Sequence, residues 1–240
     1  MKEQFIEKTE VVTAPMWLRV ATLTVFAASI AVNAYFGIWG PHSTAQVADT
    51  FNLYVMPPKW TFAGIWSAIY LLFALTLLYV ALKDKWPSKA YWATIAASIL
   101  NATWVGVFSI GTKASNIAGF FIILALFVTL YTLWKFIYDP TNDDWKYFAV
   151  RNIVSLYFGW VLVATVLSFG VLLVYYAGVS HKAFLITFWV LTPLLFIGIT
   201  AWTFIKEKGN GIKSLVGFWI AGIWAFAGAL VTTLDNRHFL

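Results

Sequence analysis

Seven apolar stretches, each about as long as a bilayer's hydrocarbon core is thick, constrain this chain more than any other feature. They lie near residues 17–39, 61–82, 91–111, 117–138, 152–177, 184–205 and 214–234, and a helix needs about 20 such residues to cross the hydrocarbon. Polar or turn-rich segments separate them at 41–59, 83–89, 112–116, 139–151, 179–182 and 206–213. Apolar residues make up 61% of the chain and charged residues 11%, against about 45–50% and 25% in an ordinary globular domain. A soluble fold of this size has too few polar side chains to cover itself. A bilayer removes that requirement, provided every backbone group is satisfied internally, as it is in a helix. The expected fold is all-α: a polytopic transmembrane bundle of about seven spans.

The basic residues give the bundle an expected orientation. With alternating spans, Lys2, Lys8, Arg19, Lys83, Lys85, Lys89, Lys135, Lys146, Arg151, Lys206, Lys208 and Lys213 fall on the side of the N-terminus. Only Lys59, Lys113, Lys182 and Arg237 fall opposite. Basic residues concentrate on the cytoplasmic or matrix side, so the N-terminus is expected inside and the C-terminus outside. The net charge of +6 is explained by these flanks. No basic patch with interleaved aromatics suggests nucleic acid. The first fifteen residues mix Glu3, Glu7 and Glu10 with Lys2 and Lys8, which reads neither as a cleaved signal nor as a transit peptide.

Several chemistries are disfavoured. No stretch carries a charge at its middle, where proton relays and ion paths place theirs, and the seventh has no lysine there for a retinal Schiff base. The chain has no cysteine. Its histidines, His42, His181 and His238, are scattered over separate loops and the tail, so no metal site is expected. Neither paired carboxylates on facing spans nor a nucleophile elbow nor a phosphate loop is visible, so no catalytic residue and no required cofactor is expected. In the seventh stretch Gly217, Ala221, Ala225 and Ala229 recur every four residues. Such a stripe packs helices closely in lipid, either within the bundle or against a partner.

Fourteen tryptophans divide into two groups. Trp17, Trp39, Trp60, Trp86, Trp92, Trp134 and Trp145 lie near span ends and read as an interfacial belt. Trp66, Trp104 and Trp160 lie deeper, either packed between helices or lining a pocket. The segment from Met56 to Tyr70, with Pro57, Pro58, Trp60, Trp66 and Tyr70, resembles the second-span signature of the tryptophan-rich sensory protein, or translocator protein (TspO/MBR), family. Leu100, Asn101 and Trp104 followed by Phe108 resemble its third-span motif. The run Leu156 to Trp160 followed by Ala164 and Thr165 resembles its fifth. Asn33, Gly37 and Gly40 look like the longer members. There are departures: Gly64 stands where the family has a third proline, Val105 and Gly106 where prolines often follow the tryptophan, and Ser168 where an asparagine is usual.

The resemblance covers roughly 15–177. It implies three parts: a polar arm at 1–16, a family-like five-helix bundle at 17–177 and two further spans at 178–240. It also implies a ligand pocket among spans one, two, three and five, capped by the first loop. The residues it implicates are Trp60, Trp66, Tyr70, Asn101, Trp104, Phe108, Trp160, Ala164 and Thr165, for a tetrapyrrole, sterol or other lipid. Trp66 and Tyr70 share a helix face at i, i+4, and Asn101 and Trp104 at i, i+3. Val174, Tyr176 and Lys182 satisfy the family's sterol consensus, a weak pattern. Relatives occur in bacteria and in mitochondria. The competing reading is an accessory subunit that keeps the fold as scaffold inside a large membrane complex, such as a respiratory-chain assembly. Membrane lipids, a second copy and partner subunits are the partners considered.

Overall fold

The computed structural model describes residues 14–39, 43–83, 85–139, 142, 144–207 and 211–236, with the backbone alone for Ile38, Trp39 and Ala45. All regular structure among them is helical. The helices are α1 (Met16–Ala34), α2 (Thr44–Thr50), α3 (Lys59–Lys83), α4 (Ser88–Phe108), α5 (Lys113–Phe136), α6 (Trp145–Val171), α7 (His181–Lys206) and α8 (Val216–Asp235). All but the short α2 are long and apolar enough to cross a membrane, giving seven spans. The chain is a multi-pass integral membrane protein.

The sequence marks where four of the helices begin. Ser43 and Gln46 form a capping box at α2, and Thr112 and Ser115 form another at α5. Asp144 and Ser180 cap α6 and α7 with their side chains. Each cap satisfies an amide that the first helical turn leaves free. Gly111, at φ 71°, turns the chain sharply from α4 into α5 in a conformation that side chains with a Cβ rarely adopt. α1 and α6 both end in one π-helical turn, Tyr35–Trp39 and Leu172–Tyr176.

α6 is the axis of the bundle. Every residue from Val154 to Leu167 is buried, because α3, α5, α7 and α8 surround it. α8 lies along α6 so closely that a Cβ on Gly217 would meet the Asn152 carbonyl oxygen. The small-residue stripe of α8 therefore packs inside the bundle: Ala221, Ala225 and Ala229 are all fully buried. α8 lacks a side-chain cap of its own. α6 supplies one instead: Asn152 Oδ1 accepts from the Gly217 amide at 3.0 Å and Ser155 Oγ from the Phe218 amide at 3.1 Å.

Three sequence expectations are corrected here. Trp86 and Trp134, expected in the interfacial belt, are buried at 3% and 0% exposure; Trp134 donates its indole N–H to the Ser214 carbonyl at 3.3 Å. Arg151, expected at the end of a loop, is helical and buried, because α6 starts six residues earlier at Trp145. Its guanidinium lies 4.0 Å from the centre of the Trp134 ring and donates to Ser214 Oγ at 3.1 Å. Glu207 and Lys135 complete this cluster and tie α5, α6 and the end of α7 together. His181, expected in a loop, opens α7. Trp17, Trp60, Trp92 and Trp145 are exposed on the bundle surface. His42 and His238 lie outside the described residues, as do Gly40 and most of the N-terminal arm; the side chain of Trp39 is likewise undescribed.

Candidate functional site

A cavity of about 560 Å³ opens among α1, α3, α4 and α6, beneath α2. Its main wall comes from two helices. On α3, Phe62, Trp66 and Tyr70 follow one another at i, i+4 and i+8, which sets them on one face. On α4, Trp104 and Phe108 do the same. The rings of Tyr70, Trp66, Trp104 and Phe108 form a continuous series. Their centroids are 5.3, 6.2 and 5.4 Å apart, with interplanar angles of 25°, 28° and 17°. This near-parallel wall spans both helices. Ala164, Leu167, Ser168 and Val171 of α6 form the side facing it.

The floor is polar and closed. Tyr70 donates its hydroxyl to Asn33 Oδ1 at 2.7 Å, and Asn101 Nδ2 donates to the same hydroxyl at 3.1 Å. Three helices, α1, α3 and α4, therefore meet at one phenol. The mouth carries charge. Asp49 of α2 and Lys59 at the start of α3 both line the cavity and pair at 2.5 Å, with half or more of each side chain exposed.

The residues expected at a pocket do not all meet there. Trp66, Tyr70, Trp104, Phe108 and Ala164 line the cavity. Trp60 does not: it is 53% exposed and packs edge-on against Trp224 of α8 at 5.6 Å. It lies two positions before Phe62, about 200° around a helix. Trp160 is fully buried one turn before Ala164 on α6, where it packs edge-on against Phe62 and Trp66. Asn101 sits below the cavity and holds Tyr70. Thr165 faces away, its hydroxyl donating to the Val161 carbonyl of its own helix at 2.7 Å. Ala164, Leu167, Ser168 and Val171 fall at i, i+3, i+4 and i+7, so Thr165 lies to one side of their stripe. Phe62, Asn33, Asp49 and Lys59 were not anticipated as site residues. Phe62 had a legible signal, one turn before Trp66 on the same face; Asp49 and Lys59, ten residues apart, had none.

The departures from the family pattern also separate. Val105 and Ser168 line the cavity. Gly106 packs against Phe36. Gly64 faces the other way, where a Cβ would come within 3.1 Å of the Trp224 ring. Of the sterol consensus, Tyr176 is turned toward α5, accepting from Asn116 Nδ2 at 2.8 Å beneath Lys113.

Among the described residues no group of three or more His, Asp or Glu side chains converges as a metal would require. A membrane-spanning helical bundle with an aromatic-walled cavity under a short loop helix has the build of a translocator-type membrane protein. The family model for the TSPO-like protein matches residues 19–239, and the chain belongs to that family; the match runs through both C-terminal spans. The chain is also similar to the tryptophan-rich protein TspO of Archaeoglobus fulgidus, 28% identical over 158 residues, which is 63% of this chain and 96% of that protein. No solved structure matches the chain.

Proposed function

We propose that this protein binds a flat hydrophobic molecule, a tetrapyrrole, a sterol or another lipid, in the cavity between α1, α3, α4 and α6, and that it does so without catalysis. The wall of four near-parallel rings carries the reading. Aromatic faces prefer offset stacking on another planar group, and a cavity of about 560 Å³ falls in the range of small-molecule sites, about 300–1,000 Å³. Residues proposed to touch the ligand are Trp66, Tyr70, Trp104, Phe108 and Ala164, with Phe62 and Ser168 beside them. Asn101 holds Tyr70 from α4, and Trp160 packs edge-on against Phe62 and Trp66 from α6. The protein sits in a bacterial or mitochondrial inner membrane with its N-terminus inside, on the lysine-rich side.

Titration of the detergent-solubilised protein with protoporphyrin, and separately with a sterol, tests the reading through quenching of tryptophan fluorescence. Saturable quenching in the parent that Trp66→Ala weakens and Trp60→Ala leaves in place supports it. Quenching that does not saturate, or that both variants share, overturns it. Gentle extraction and native electrophoresis separate it from the scaffold reading: co-migration with stoichiometric partners, together with no saturable binding, makes the chain an accessory subunit.

A further inference from the structure

The segment from Phe51 to Pro58, which joins α2 to α3, forms one lip of the cavity through Met56 and Pro57. It has no regular helix of its own. Burial alternates along it: Phe51, Leu53, Val55 and Pro57 are buried, while Asn52 is exposed and Tyr54 and Met56 are half-buried. Chain in this form has few internal bonds, here the Leu53 amide to the Phe51 carbonyl and the Met56 amide to the Leu53 carbonyl. Its position must be set from outside.

The C-terminal spans set it. Thr232 of α8 donates its hydroxyl to the Met56 carbonyl at 2.7 Å, and Thr233 reaches the Tyr54 carbonyl at 3.0 Å. Higher on α8, Trp224 Nε1 donates to the Thr61 carbonyl at 2.9 Å, and Gly228 leaves room for Thr61 and Pro57. At the start of α7, the His181 ring stacks on Tyr54 with centroids 4.9 Å apart. These contacts join residues more than 120 positions apart, and all of them fall on the lip segment or the first turn of α3.

We infer that α8 is a brace for the cavity mouth, with Thr232 as the positioning residue whose hydroxyl holds the lip in place and Thr233 assisting through a proton it shares with its own helix. The geometry makes the hold reversible. Each threonine has a second acceptor one turn back on its own helix: the Gly228 carbonyl at 3.5 Å for Thr232 and the Ala229 carbonyl at 2.8 Å for Thr233. A hydroxyl has one proton to give. When the lip moves out, that proton turns to the α8 backbone and no buried donor is orphaned. The inference rests on the cavity being the working site, and it assigns the two C-terminal spans a role in access to it.

The chain has no cysteine, so one introduced at Ser67, on the cavity wall, reports access without background. The test measures the rate of maleimide labelling of Ser67→Cys in ligand-free protein, alone and combined with Thr232→Val/Thr233→Val. Valine keeps the shape of threonine and removes the donor. The double variant is expected to label about tenfold faster, the factor that 1.4 kcal/mol of opening free energy gives. Faster amide exchange over residues 51–58 is expected with it. Thr200→Val is the control: it removes the hydroxyl that accepts from Trp219 Nε1 at 3.1 Å, an α7–α8 contact that does not involve the lip. An unchanged labelling rate in the double variant overturns the brace, and so does equal acceleration by Thr200→Val. No ligand is present in this assay, so its failure is distinct from a failure of ligand binding.

Discussion

Tyr70 donates its hydroxyl to Asn33 Oδ1 at 2.7 Å, joining α3 to α1 beneath the cavity. Both residues lie on helices long and apolar enough to cross a membrane. Asn101, 1% exposed, reaches the same hydroxyl from α4, and its own Oδ1 has no hydrogen-bond partner among the described residues. Tyr70→Phe removes both interhelical bonds at once. Such bonds average about 0.6 kcal/mol in membranes, and stranding the Asn101 amide adds to that, for a total of about 1–3 kcal/mol. The expected result is a fall in the detergent melting temperature of about 2–10 °C with helix content unchanged. A melting temperature equal to the parent's would mean that the asparagines find other partners.

The buried charges make a second prediction, with a sign that depends on which partner goes. Glu207 Oε1 lies 2.8 Å from Lys135 Nζ and 3.6 Å from Arg151, and the Glu207 and Arg151 side chains are 2% and 1% exposed. Glu207→Gln leaves a buried guanidinium without a countercharge, which costs about 3–5 kcal/mol. Lys135 is about one-third exposed and can extend its ammonium to water along its alkyl stem. Removing the guanidinium as well, in Arg151→Met/Glu207→Gln, is therefore expected to recover most of the loss. Thermal unfolding of the parent, the single and the double variant checks this. A double variant as unstable as Glu207→Gln alone would show that the cluster acts through Ser214 and Trp134 rather than through charge.

How much of this was legible beforehand depends on the kind of signal. The seven spans follow from length and composition, and the structure places most of their ends within a few residues; the start of α6, seven residues before the expected 152, is the largest difference. The aromatic wall follows from helical spacing: Trp66 with Tyr70, and Trp104 with Phe108. Where a motif was read without its helical phase, the structure sets its residues apart. Trp60 belongs to the same short segment as Trp66 yet lies on the outer face, and Thr165 adjoins Ala164 yet faces its own backbone. Gly64 stands where the family has proline, yet its neighbour is Trp224, 160 residues later in the chain, and no local pattern announces that contact. Arg151 and Trp134 were assigned to a loop and to the interface because each is near a span end. What buries them is the return of the chain at Ser214.

α8 contains a third test. A Cβ on Gly217 would lie 1.9 Å from the Asn152 carbonyl oxygen, whereas one on Gly198 meets nothing within 4 Å. Both glycines are helical, so alanine relieves the same conformational entropy at each. Gly198→Ala is expected to stabilise by about 0.5–1 kcal/mol. Gly217→Ala must push α8 from α6 and strain the Asn152 cap, at about 1–3 kcal/mol. Opposite shifts in melting temperature are the expected outcome. Shifts of the same sign would place α8 farther from α6 than it lies here.

The last prediction separates the cavity from the packing around it. Ala164 faces the ring wall from α6 and lines the cavity. Ala164 is buried at the cavity's edge, and phenylalanine there is expected to fill part of the cavity, so that most of the overpacking penalty of about 1–3 kcal/mol is avoided. Ala164→Phe should fold with a melting temperature close to the parent's and lose porphyrin binding by about tenfold or more, equivalent to 1.4 kcal/mol. The adjacent Thr165→Val is the matched control, since its hydroxyl serves only its own helix; it should bind as the parent does. Equal binding by Ala164→Phe and the parent would move the ligand out of this cavity. Loss of folding in Ala164→Phe would mean that the space is closed in the membrane, leaving the aromatic wall as core.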